Sequence, residues 1–102
     1  MRIFVDIDGT LTRDGEKANG KPWYENIDKI RNLIANGNDV TIWSAMGEEY
    51  VRLFCDEHNL KPRYMLGKPN IIIDDCPTIR PVDKMTVILP KNLKNWNGEK
   101  CW

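Results

Sequence analysis

Two aspartates one residue apart, Asp6 and Asp8, followed directly by Gly9 and Thr10, are the residues of this chain best suited to chemistry. A second acidic pair, Asp74-Asp75, a serine, Ser44, and a lysine, Lys68, lie beside other short apolar runs. Carboxylates crowded into one place raise each other's proton affinity unless a hard divalent cation sits between them. Mg²⁺ suits such a set, because it keeps several waters and binds through a few carboxylates and a substrate phosphate. An aspartate needs no base to be ionised at neutral pH, so Asp6 can attack phosphorus once a metal and Lys68 offset the charge of the substrate. Asp8 can protonate the leaving oxygen and then deprotonate the water that hydrolyses the aspartyl phosphate. The Ser44 hydroxyl and the backbone N–H groups of Ala45 and Met46, near the start of the next helix, are candidate donors to a phosphoryl group. Gly9 permits a tight backbone turn beside the two aspartates.

Positioning these groups requires an element that ends at each of them. Ile3-Phe4-Val5-Asp6-Ile7 is a nearly continuous apolar run closed by Gly9, the pattern of a strand buried on both faces in a parallel sheet. A polar segment over 12–21 follows, and then Ile27, Ile30, Leu33 and Ile34 repeat at helical spacing after Pro22 until Asn36-Gly37. Val40-Thr41-Ile42-Trp43 reads as the second strand; Glu48 and Glu49 open a helix with Tyr50, Leu53 and Phe54 on one face, closed by Asn59 and Pro62. Further strands are predicted at Arg63–Leu66, Asn70–Ile73 and Met85–Leu89. Strands alternating with helices predict an α/β fold, a Rossmann-like three-layer sandwich around a mostly parallel five-stranded sheet. Ligands of such sheets gather at the C-terminal strand ends, and that is where Asp6, Asp8, Ser44, Lys68, Asp74 and Asp75 fall.

The bulk properties fit one domain over residues 1–102. Fifteen basic and fifteen acidic residues balance to zero net charge, and a 41% hydrophobic content argues against disorder and against general affinity for polyanions. The halves differ: residues 1–51 carry 6 basic and 9 acidic side chains, and residues 52–102 carry 9 and 6. Cys55, Cys76 and Cys101 form no C-x-x-C pair, so a disulfide framework or cysteine zinc site is not indicated, and a reducing cytoplasm is the expected compartment. Asp6 and Asp8 interrupt the apolar start too early for a signal-peptide core, and no run reaches the ~20 residues of a membrane span.

Asp6-Ile7-Asp8-Gly9-Thr10, Ser44 after an apolar strand, Lys68 in Gly67-Lys68-Pro69, and Asp74-Asp75 after Ile71-Ile72-Ile73 resemble the four ordered motifs of the haloacid dehalogenase superfamily of phosphohydrolases. The resemblance spans residues 3–75. It implies Asp6 as nucleophile, Asp8 as acid and base, Ser44 and Lys68 as phosphate ligands, and Mg²⁺ held by Asp6, the Asp8 carbonyl and Asp74, with Asp75 behind them or acting through water. It also implies a sheet order 5-4-1-2-3 with the first strand central. Lys68 stands only six residues before Asp74, so the helix that usually separates these motifs is absent.

Many members of that family carry a cap domain, and neither usual insertion point has room for one here. The expected site is therefore open, suited to a bulky phosphorylated substrate such as a nucleic-acid end, helped by Arg63, Arg80, Lys84, Lys91 and Lys94. The alternative is a sugar phosphate or nucleotide under a lid supplied by an oligomer. Trp23 and Tyr24 fit packing beneath their helix better than base stacking, and His58 fits a helix C-terminus. A signalling receiver domain shares the residue types, but its lysine belongs on the last strand rather than before an acidic pair. A silent Mg²⁺- and phosphate-binding module is the remaining alternative; every motif position being chemically competent speaks against it.

Overall fold

The computed structural model describes residues 1–13, 20–73, 75 and 87–98. Its elements run β1 (Arg2–Asp6), α1 (Tyr24–Ala35), β2 (Asp39–Ser44), α2 (Glu48–His58), β3 (Tyr64–Gly67) and a 3-10 helix (Pro90–Asn95). The strands form a parallel sheet in the order β1-β2-β3, with Val5 beside Ile42, Asp6 beside Trp43, and Ser44 beside Gly67. Each crossover is a helix, as parallel neighbours require.

Alternation along the strands decides what faces inward. Val5, Val40 and Ile42 point to one face and join Ile27, Ile30 and Leu33 of α1 and Val51, Phe54 and Cys55 of α2 in a single buried cluster. The spacing of those helical residues by three and four keeps each apolar stripe on the sheet. Helix α1 ends where Gly37 adopts φ 89°, and α2 ends where Asn59 takes the left-handed conformation at φ 54°. Leu93 of the 3-10 helix is buried in the same cluster.

The five-stranded, three-layer expectation is corrected here. The described residues contain three strands, and α1 and α2 share the one face that carries Val40 and Ile42. The opposite face presents Phe4, Tyr64 and Leu66 at 50%, 49% and 41% exposure, and among the described strands β1 lies at an edge, not at the centre. Ile71, Ile72 and Ile73, which have the composition of a strand, are exposed and join no ladder. Of the fifth predicted strand, Met85 and Thr86 lie outside the described residues, and Val87, Ile88 and Leu89 are unpaired. Strand propensity expresses fit to a half-buried pleated surface, and a β-branched run without a neighbouring ladder has nothing to fit.

Candidate functional site

The parallel register brings three chain segments to one rim. Asp6 closes β1, Ser44 closes β2, and Lys68 comes directly after β3. Lys68 is fixed twice: its N–H donates to the Ser44 carbonyl at 2.9 Å, and its Nζ lies 3.0 Å from Asp6 Oδ1. Its ammonium also sits over the Trp43 ring, 5.7 Å from the centroid. Gly67 eases this approach, since a Cβ there would come within 3.3 Å of the Gly47 Cα, a tight contact. The Asp6 and Lys68 side chains are 33% and 37% exposed, so the pair is reachable from solvent.

Beyond β1 the chain turns sharply. The N–H groups of Thr10, Leu11 and Thr12 all donate to the Ile7 carbonyl, at 3.0, 2.8 and 3.2 Å, and Gly9 takes φ 84°, a conformation costly for any side chain with a Cβ. The Gly9 N–H donates to Thr12 Oγ1 at 3.1 Å. Asn26, buried in α1, donates from Nδ2 to the Thr10 carbonyl at 2.8 Å and to the Pro90 carbonyl at 3.2 Å, tying this turn to the 3-10 helix. Asp8, on the turn, accepts a 2.6 Å hydrogen bond at Oδ1 from the Tyr50 hydroxyl of α2.

Ser44 is buried at the end of β2, and its Oγ accepts the Met46 N–H at 3.0 Å. That amide is thus engaged locally; α2 begins later, at Glu48, with Gly47 as its N-cap, while Ala45 is exposed between them. Asp6, Asp8, Gly9, Thr10, Ser44, Ala45 and Lys68 therefore belong to the rim segments that sequence reasoning singled out. Asp74 lies outside the described residues, and Asp75 is exposed. Tyr50, Asn26 and Thr12 were missed as site residues. Tyr50 reads as an apolar position on the α2 face, and only the fold brings it to Asp8, 42 positions earlier.

Among the described residues no group of three His, Cys, Asp or Glu side chains is arranged to hold a metal. The donors present are the Asp6 carboxylate and the Asp8 backbone carbonyl, hard oxygen ligands of the kind Mg²⁺ prefers, and Mg²⁺ needs only one or two carboxylates beside water and phosphate. The chemistry of the donor set thus suits that ion. Of the basic residues considered for a polyanion, Arg63 stands near Asp39 at 3.6 Å, by the opposite end of the sheet, and Lys94 stands 3.8 Å from Glu25. Arg80 and Lys84 lie outside the described residues, and Lys91 is exposed.

No protein-family profile matches the chain, and no curated protein does so at a significant level. Among solved structures, the fold is similar to the crystal structure of an MCSG target from Vibrio cholerae, with a TM-score of 0.67 at 19% identity, covering 94% of this chain and 89% of that one. At that identity the likeness speaks for the fold alone. No helix among the described residues is long and apolar enough to cross a membrane.

Proposed function

We propose that the protein is a Mg²⁺-dependent phosphomonoesterase of the haloacid dehalogenase type, working through an aspartyl phosphate on Asp6. The observation that carries this reading is the 3.0 Å approach of Lys68 to Asp6 at a rim shared by Asp8 and the Ser44 segment. A pair this exposed contributes only about 0–1 kcal/mol to folding, so stability is a poor reason for its presence. The Asp6 carboxylate and the Asp8 carbonyl, with Asp74 and Asp75 as further candidates, would hold Mg²⁺, which when bound would supply positive charge against the phosphoryl oxygens.

The remaining chemistry belongs to the chain. An Asp6 carboxylate oxygen forms a bond to phosphorus while the bond to the leaving oxygen breaks, and the Asp8 carboxyl gives its proton to that oxygen. Water then attacks phosphorus, the Asp8 carboxylate takes its proton, and the acyl-phosphate bond breaks to release inorganic phosphate and restore Asp6. Lys68 neutralises charge on the transferred group. The cytoplasm is the compartment that fits Cys55, a buried free thiol.

The test is hydrolysis of p-nitrophenyl phosphate with and without Mg²⁺, in the native protein and in Asp6→Asn. Activity that needs the ion and disappears in the variant supports the reading; full activity in Asp6→Asn rejects it.

A further inference from the structure

The turn that carries Asp8 has little freedom in its backbone. The Ile7 carbonyl takes the N–H groups of Thr10, Leu11 and Thr12, the Gly9 N–H is engaged by Thr12 Oγ1, and the Thr10 carbonyl accepts from Nδ2 of the buried Asn26. Ile7, Leu11 and Thr12 are buried as well, so the direction of the Asp8 Cα–Cβ bond is set by packing around it. What remains is rotation about the side-chain torsions, and a carboxylate on a turn has several staggered positions open to it unless a partner selects one. Among the described residues that partner is Tyr50, whose hydroxyl donates to Asp8 Oδ1 at 2.6 Å from a different element. Tyr50 stands in the first turn of α2, next to the fully buried Val51, and its ring packs against the buried cluster. The hydroxyl is thus delivered by a planar ring on a fixed support.

We infer that Tyr50 is a positioning residue for the proton transfers of Asp8, fixing the carboxyl by Oδ1 and leaving Oδ2 as the atom that gives and takes the proton. The inference rests on the phosphomonoesterase reading and adds to it a residue outside the four motifs. A protonated carboxyl keeps acceptor capacity beside its one O–H, so the Tyr50 hydroxyl stays on Oδ1 in both half-reactions. Oδ2 loses its proton to the leaving oxygen as the bond from that oxygen to phosphorus breaks. It regains a proton from the water that attacks the aspartyl phosphate. Packing against the cluster asks only for a ring at position 50; the hydroxyl adds the contact with Asp8. General acid–base catalysis contributes about 10²–10⁴-fold, and a misplacement of about 1 Å forfeits about 10²-fold, so a carboxyl that is present but unaimed loses a measurable part of its effect.

Tyr50→Phe keeps the ring and removes the hydroxyl. Glycerol 2-phosphate, whose alkoxide leaves only with a proton, is compared with 2,4-dinitrophenyl phosphate, whose phenolate leaves without one. In the variant, kcat/KM, which reports transfer of the phosphoryl group to Asp6, is expected to fall about 30-fold for the first ester and less than about threefold for the second. Turnover of the second ester then slows at hydrolysis of the aspartyl phosphate, so acid-quenched Tyr50→Phe carries more phosphate on Asp6 than the native protein does. The double variant Tyr50→Phe/Asp8→Asn is expected to be no slower on the dinitrophenyl ester than Asp8→Asn alone, because the hydroxyl acts through the carboxyl. An equal loss on the two esters, a further loss in the Asp8→Asn background, or native rates in Tyr50→Phe overturns the positioning role and leaves the phosphatase intact. Failure of the native protein to hydrolyse either ester overturns the phosphatase reading, and the role of Tyr50 with it.

Discussion

Asp6 and Lys68 are 62 positions apart in the chain and 3.0 Å apart in space. With roughly a third of each side chain in water, their attraction is screened, and removing it costs folding no more than about 1 kcal/mol. Lys68→Met is therefore expected to leave the urea midpoint nearly unchanged while lowering kcat/KM for p-nitrophenyl phosphate about 100-fold, the size of effect seen when one donor to a developing anion is lost. A large stability loss with unchanged catalysis would assign the lysine a structural role. Cys55 offers a separate test. Burial, and secondarily Asp56, push its thiol from 9.0 up to about 11. The folded protein thus holds the neutral thiol more firmly than the unfolded chain does, so the contribution is complete below pH 9 and is lost as pH rises through about 11. Urea midpoints measured between these pH values are expected to fall more steeply in the native protein than in Cys55→Ala; parallel slopes would show that the thiol does not titrate in this way.

At the scale of elements, the rim depends on β2 holding β1 and β3 in register. Ile42 is fully buried between them, and Ile42→Ala is expected to cost about 2–5 kcal/mol, a sizeable part of the roughly 5–15 kcal/mol available to a small domain, as read from chemical denaturation. Gly67→Ala would press a methyl group on the Gly47 backbone and is expected to cost about 1–3 kcal/mol while raising KM, because Lys68 is the next residue. Unchanged denaturation of either variant would contradict the packing described. The apolar runs at β1, β2 and β3 and the three-and-four spacing of Ile27, Ile30 and Leu33 made these elements legible in the sequence. The turn chemistry was also legible: Asn36-Gly37 and Asn59 do end their helices. Ile71-Ile72-Ile73 misled because a strand is defined by its neighbour, which composition does not encode. Leu53 misled for a related reason, since a place on the apolar stripe of α2 does not guarantee something to pack against.

Across the whole molecule, the formal charges of the described rim residues Asp6, Asp8 and Lys68 sum to one negative charge. A phosphate monoester adds further negative charge, so a divalent cation is the economical way to balance the assembly, and chelation by EDTA is expected to abolish turnover with recovery on adding Mg²⁺. Parallel strand ends that converge on one rim were foreseeable from the order of Asp6, Ser44 and Lys68. The contacts of Tyr50 with Asp8 and of Asn26 with Thr10 were not, because each joins elements whose relative placement is set by the buried cluster rather than by any local pattern. The central claim is that Asp6 carries the phosphoryl group. The most direct measurement is acid quenching during Mg²⁺-supported hydrolysis, followed by mass spectrometry of the peptide containing Asp6. A hydroxylamine-labile phosphate on that residue, absent from Asp6→Asn, is the expected result; hydrolysis proceeding at the same rate with no phosphate on Asp6, or in the variant, would contradict it.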